Sequence, residues 1–296
     1  MKIDGKEISS NISTDLKKQI EKLKKKGITP KLAIIMAGED SNSAAYVRRK
    51  EIKAKEVGIE TITKRFPSDT SQYSLLTTIQ QFNKDSSIHG IIVQQPLPKE
   101  IDEKAVINAV APEKDIDGFR KDSKYDSPIA LAVNKVLEYI FSSNVKLNKK
   151  NVHLRGGVAP AAHLEGELFQ WLHSQTIVVI GKGNTGGKPI IDFFKKIGLK
   201  TNVIDTKTRD KKDLLKNADI IISAVGKKDV ITPIMIKRKT ILIGIGLHKE
   251  KDGKLYGDYE EEKVKSIVSF YTPTPGGIGP INVAMLLKNL VTAASN

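Results

Sequence analysis

The stretch VVIGKGNTGGKP, residues 178–189, decides how this chain is read. It sets Gly181-x-Gly183-x-x-Gly186 directly after an apolar strand and before a helix. Glycines so placed permit a tight turn and let backbone N–H groups approach a pyrophosphate at a helix N-terminus. Asp205 ends the next strand, 24 residues after Gly181, where an acid meets ribose hydroxyls. Together these features predict a Rossmann-type dinucleotide-binding domain; a glycine turn that serves packing alone is the plainer alternative. A kinase-type P-loop is excluded, because Pro189 follows Lys188 where a magnesium-binding hydroxyl belongs.

Outward from this loop the same alternation continues. LKTNVIDT (199–206), the second half of DLLKNADIIISAVGK (213–227) and KTILIGIGL (239–247) read as strands. Toward the N-terminus, KLAIIMAG (31–38), IETITKRF (59–66) and HGIIVQQPLP (89–98) read as strands between helices at about 42–57, 71–85 and 102–112. The class is α/β with parallel sheets. Two domains with a cleft between them are expected: a catalytic domain at 1–140, completed by an amphipathic helix at 279–296, and a dinucleotide domain at 165–278. Residues 141–164, polar and then Gly/Ala/Pro-rich, read as a linker or long loop.

Composition narrows the function. The 296 residues contain no cysteine, which removes disulfides, thiol catalysis and Cys-ligated metals. MKIDGKEISS has no apolar signal core, and no run of about 18 apolar residues is evident, so a soluble cytoplasmic protein is expected. The net charge is +15, yet only seven of the 49 basic residues are arginine and aromatics make up 5%. Base readout leans on arginine and aromatic side chains. The dispersed lysines instead suit small polyanions, and KKQIEKLKKKG (17–27) reads as a solvated helix face. The five histidines show neither metal spacing nor a hydrolase motif, so no metal is expected.

One lysine stands apart. In AYVRRKEIKAKEVG (45–58), Val47, Lys50, Ala54 and Val57 share a helical face, putting Lys50 on the inward stripe one turn after Tyr46. A snorkelling structural lysine fits that spacing as well. Gln94 in VQQPLP (93–98) closes a parallel strand, where α/β sheets gather ligands. Asp115 and Asp117 in KDIDGF (114–119) flank a turn, and either suits a turn former. YTPTPGGIGP (271–280) is a rigid turn or a shaped wall for a flat ligand.

These motifs, Tyr46-x-x-x-Lys50, Val93-Gln94-Gln95-Pro96-Leu97-Pro98, Asp115-Ile116-Asp117-Gly118 and Pro275-Gly276-Gly277, occur in order with the glycine loop before the last. In that order the chain resembles the bifunctional methylenetetrahydrofolate dehydrogenase/methenyltetrahydrofolate cyclohydrolase family over nearly its whole length. The resemblance implies hydride transfer from 5,10-methylenetetrahydrofolate to NAD or NADP, then hydrolysis to 10-formyltetrahydrofolate. It implies that Lys50 is the key cyclohydrolase residue, that Tyr46 packs on the folate and that Gln94 supports the lysine. Asp117 would bind the pterin edge, and Pro275, Gly276 and Gly277 would line the same cleft. Gly181, Lys182, Gly183, Gly186, Asp205, Thr206, Lys207 and Leu247 would serve the dinucleotide, and a homodimer is expected.

The chain departs from the family pattern in places. Ser127-Pro128-Ile129-Ala130 lacks a usual threonine, which admits a monofunctional dehydrogenase. The usual Gly-Arg-Ser loop is Gly181-Lys182-Gly183, and a His-Ser pair is Asp205-Thr206. Asp205 favours NAD, whereas Lys182 and Lys207 suit the 2′-phosphate of NADP, the family's commoner cofactor. A basic Rossmann-type nucleic-acid binder and a dinucleotide-binding pseudoenzyme are the alternatives of other classes.

Overall fold

The computed structural model describes residues 1–150 and 161–296. Contacts divide the chain into two compact units, one joining Ser9–Pro128 to Asn282–Asn296, the other joining Met1–Ile8 to Ile129–Ile281.

The first unit begins within α1 (Gly5–Lys25), which buries Leu16, Ile20 and Leu23 and turns Lys17, Lys18, Lys22, Lys24 and Lys25 to solvent. A three-stranded parallel sheet follows from β1 (Lys31–Ala37), β2 (Glu60–Phe66) and β3 (Gly90–Val93), in the order β2-β1-β3. The apolar runs of the central strand β1 and of β3 are buried, as strands of a parallel sheet covered on both faces are. Between them run α2 (Ser41–Val57) and α3 (Gln72–Lys84), with α4 (Glu103–Ala109) after β3. Asp40 caps α2 by accepting from the Ser43 N–H at 2.6 Å, and Gly58, left-handed at φ 92°, ends it. Lys114 donates to the carbonyls of Phe82, Asn83 and Asp85 at the end of α3. Ile91 donates to the Lys114 carbonyl at 2.8 Å, so the 114–119 turn lies alongside β3.

The second unit contains α5 (Pro128–Lys150), α6 (Ala161–His173), β4 (Ile177–Ile180), α7 (Gly187–Lys196), β5 (Asn202–Ile204), α8 (Lys211–Asn217), β6 (Ile220–Ser223) and β7 (Ile241–Gly244). The small pair β8 (His248–Lys249) and β9 (Leu255–Tyr256), then α9 (Glu261–Val264) and β10 (Phe270–Tyr271), complete it. Its five-stranded sheet is parallel, in the order β10-β7-β6-β4-β5. The strand order reverses at β4, and in such sheets ligands bind beyond the carboxyl end of the strand at that switch point. Gly181 follows β4 there.

Two boundaries differ from the sequence reading. Residues 141–150 continue α5 and 161–164 begin α6, so both described ends of the expected linker are helical; 151–160 lie outside the described residues. Because α5 runs unbroken through 140, Ile129–Ile140 group with the second unit. Met1 and Ile3 also belong there, exchanging backbone bonds with Tyr271.

The last helix, α10 (Ile278–Ser295), is long and apolar enough to cross a membrane by composition, which the sequence reading did not anticipate. Most of it is buried in the protein, as in a core helix. Within the first unit, its Leu290 lies so close to Gly90 that a Cβ there would sit 2.7 Å from the leucine methyl. Its buried Asn289 donates to the Ile116 and Asp126 carbonyls, both at 2.9 Å, and pins the turn carrying Asp117. Asn289→Ala strips two carbonyls of their donor and should lower unfolding free energy by about 1–3 kcal/mol. An unchanged urea midpoint would contradict that.

Candidate functional site

Helical spacing puts Lys50 inward, and the structure places it 6% exposed on the α2 face with Ser43, Val47, Ala54 and Val57. Three groups answer its ammonium. Nζ donates to Gln94 Oε1 at 3.2 Å, lies 5.4 Å from the Tyr46 ring centroid, and is attracted by the Asp117 carboxylate. Burial pushes the Lys50 pKa down, and Asp117 opposes that shift in part. The same pair acts in reverse on Asp117: burial raises its pKa and Lys50 lowers it. Both shifts favour neutral forms.

The supports of this cluster are specific. Gln94 stands just past β3 and donates its Nε2 to the Gln95 carbonyl at 2.7 Å, which leaves Oε1 facing Lys50. Tyr46, one turn before Lys50, accepts from Asn282 Nδ2 of α10 at 2.9 Å. Burial raises the Tyr46 pKa, so its hydroxyl keeps its proton. Asp115 and Asp117 separate cleanly. Asp115 is 4% exposed and accepts from the Arg120 N–H at 2.9 Å, while its carbonyl accepts from Ser123 Oγ, so it holds the turn. Asp117, half-buried, accepts no hydrogen bond among the described residues and is left for Lys50 and a ligand. Gly118 (φ 66°) permits the turn, since a Cβ there would lie 2.8 Å from the Ser127 nitrogen.

Asn282 was missed by sequence reasoning; its signal was an amide, one of two with Asn289, in an apolar helix. Pro275, Gly276 and Gly277 belong to the second unit. There Gly276 (φ 107°) accepts through its carbonyl from the Gly5 N–H at 3.1 Å, and Gly5 has no room for a Cβ against Gly277.

The glycine loop of the second unit has the features a dinucleotide requires. Gly181 is left-handed at φ 89° and Gly183 faces open space. The close strand–helix approach belongs to Gly187 rather than Gly186: a Cβ on Gly187 would fall 1.9 Å from the Gly181 carbonyl oxygen. Gly186 caps α7 without a side chain, leaving the helix N-terminus to a ligand. Asp205, just past β5, pairs with Lys182 at 2.6 Å and accepts from the Lys207 N–H at 2.8 Å. The Lys182 ammonium and those bonds pull the Asp205 pKa down to about 2. Thr206 and Lys207 are exposed, and Leu247 is an exposed apolar side chain after β7.

Comparison with known proteins agrees with both halves. The model of the tetrahydrofolate dehydrogenase/cyclohydrolase catalytic domain matches residues 3–117, and that of the family's NAD(P)-binding domain matches 164–296. A curated relative named bifunctional protein FolD, from Exiguobacterium sibiricum, is 38% identical over 99% of this chain and 98% of its own. The crystal structure of the FolD methylenetetrahydrofolate dehydrogenase/cyclohydrolase from Campylobacter jejuni superposes with a TM-score of 0.81 at 31% identity, covering 100% of this chain and 99% of that one. The Trypanosoma brucei enzyme, solved with NADP and an inhibitor, gives 0.83 at 25% identity, covering 100% and 97%. Two α/β units, one with a buried lysine cluster and one with a dinucleotide loop, thus carry the family's sequence from end to end: the chain belongs to the tetrahydrofolate dehydrogenase/cyclohydrolase family.

Proposed function

We propose how this bifunctional enzyme, which oxidises 5,10-methylenetetrahydrofolate with NAD(P)+ and hydrolyses the methenyl product to 10-formyltetrahydrofolate, assigns its residues. The observation that carries the proposal is the buried Lys50 amine, held by Gln94 and balanced by Asp117. NAD(P)+, when bound, supplies the hydride acceptor, and Gly181, Gly183, Gly186 and the α7 N-terminus would hold its pyrophosphate. In the hydrolytic step water adds to the methenyl carbon and one carbon–nitrogen bond breaks. Lys50, with its pKa brought toward neutrality, takes a proton from that water and returns one to the departing nitrogen. Gln94 orients the amine, Asp117 accepts from the amino-amidine edge of the pterin, and Tyr46 lies along its face. Family membership assigns Pro275, Gly276 and Gly277 to the folate as well. The changes at 127–130 leave Lys50, Gln94 and Asp117 in place, which supports the bifunctional over the monofunctional reading.

Lys50→Met should cut cyclohydrolase kcat/KM by about a hundredfold or more while dehydrogenase turnover falls much less. Equal loss of both activities would remove Lys50 from the role given to it.

The cofactor preference follows from Asp205. A carboxylate held ionised at the end of β5 accepts ribose hydroxyls and repels a 2′-phosphate, so NAD is the proposed partner, with Lys182 and Thr206 at the same edge. Methylenetetrahydrofolate oxidation assayed side by side should give the higher kcat/KM with NAD. Asp205→Ser should move the ratio toward NADP by about tenfold, or about 1.4 kcal/mol. A wild-type preference for NADP would reject this assignment.

A cytoplasmic homodimer is part of the same reading, on the strength of family membership. Light scattering should return twice the 32.6 kDa chain mass; a monomer at micromolar concentration would count against it.

A further inference from the structure

Behind the dinucleotide loop lies a carboxylate that the reaction does not use. Asp258, after β9, is wholly buried. Its Oδ2 accepts from Ser223 Oγ at 2.6 Å and from the Val225 N–H at 3.0 Å. Its Oδ1 accepts from the Gly226 N–H at 2.7 Å and the Lys227 N–H at 3.0 Å. A carboxylate offers about four acceptor sites, so all of them are taken and none remains for a ligand.

What Asp258 holds is Val225, Gly226 and Lys227 in the loop after β6, next to Ala224, whose N–H donates to the Ile180 carbonyl at 2.9 Å; that loop meets its neighbours on both sides. The Ala224 carbonyl oxygen would lie 2.8 Å from a Cβ on Gly181, and the Ala224 methyl 3.3 Å from one on Gly186. On the other side, a Cβ on Gly226 (φ 71°) would meet the Leu247 carbonyl oxygen at 2.8 Å. Gly246 has no room for one, with both Asp258 oxygens 2.4 Å away. The loops after β4, β6 and β7 are therefore stacked edge to edge at the carboxyl end of the sheet. The middle one is fastened by the buried Asp258 carboxylate at residues 225–227 and by the Ile180 carbonyl at Ala224.

We propose that Asp258 is a positioning residue for dinucleotide binding: by clamping residues 225–227 it sets the gap between the glycine loop and the Gly246–Leu247 segment. The inference rests on the assignment of this unit as the NAD(P)-binding domain. Asp258→Asn keeps the size but replaces one acceptor oxygen with an NH2 that faces existing donors. The middle loop must then move, taking its contacts with Gly181, Gly186 and Leu247 with it.

The test compares wild type, Asp258→Asn and Ser223→Ala by NADH fluorescence titration, by dehydrogenase kinetics, and by hydrolysis of methenyltetrahydrofolate without dinucleotide. Asp258→Asn should weaken NADH binding and raise the KM for NAD(P)+ at least tenfold, with a smaller fall in kcat and with methenyl hydrolysis kept within about twofold. Ser223→Ala, which leaves three donors on the carboxylate, should raise the same KM by a few fold. A folded Asp258→Asn protein with unchanged NADH affinity, or with binding and methenyl hydrolysis lost in parallel, overturns the proposal. If circular dichroism shows that variant unfolded, Ser223→Ala decides, and unchanged NADH affinity there overturns it equally. Should wild type itself fail to reduce NAD(P)+ with methylenetetrahydrofolate, the proposed function fails, whereas the NADH titration still judges Asp258.

Discussion

The first unit is organised around the cost of taking one ammonium out of water. A lysine on the inward face of a helix is expensive unless acceptors or negative charge come with it. The supports for Lys50 come from distant parts of the sequence: the end of β3 brings Gln94, the strand-like 114–117 segment brings Asp117, and α10 brings the amide that holds Tyr46. Each support has its own fastening. Gln94 is fixed by the next carbonyl, the Asp117 turn by Asp115 and Asn289, and Tyr46 by Asn282. Removing either partner alone would leave the charge of the other buried and uncompensated.

The arrangement leaves the amine incompletely satisfied by the protein. Gln94 offers one oxygen, Tyr46 a ring face, and Asp117 a carboxylate that no backbone N–H among the described residues has claimed. A fully satisfied ammonium would be a structural lysine with an ordinary titration. Here burial moves the lysine toward its neutral amine and the aspartate toward its protonated acid, so the gap between the two titrations narrows. Local hydrogen bonding, more than residue type, thus separates Asp115 from Asp117, two aspartates two positions apart with different work.

Much of this was legible in the sequence because it depends on periodicity or punctuation. The spacing of Val47, Lys50, Ala54 and Val57 pointed the lysine inward, and the apolar runs at 31–38, 89–93 and 177–180 marked buried parallel strands. The glycine loop announced a dinucleotide site. The parts that escaped depend on tertiary placement. Gly187, not Gly186, makes the tight helix–strand approach, and adjacent glycines give no sign of which one does. Asn282, Asn289 and Asp258 each serve groups far away in sequence. The polar end of α5 carries no strong apolar stripe, so residues 141–150 read as linker in the sequence although the helix continues to Lys150. The two-residue strands β8, β9 and β10 are too short for any period to register.

The interleaved connectivity of the two units bears on how the chain is made. Met1–Ile3 pair with Tyr271, and the unit that holds Lys50 needs residues from Asn282 onward. During synthesis from the ribosome, the first residues must wait for a partner about 270 positions later, and the lysine cluster lacks the amide that holds Tyr46 until α10 emerges. Neither half can be finished early. Closure of such long loops is entropically slow, so the nascent chain carries an unfinished five-stranded sheet and an unfastened lysine cluster until translation is nearly over.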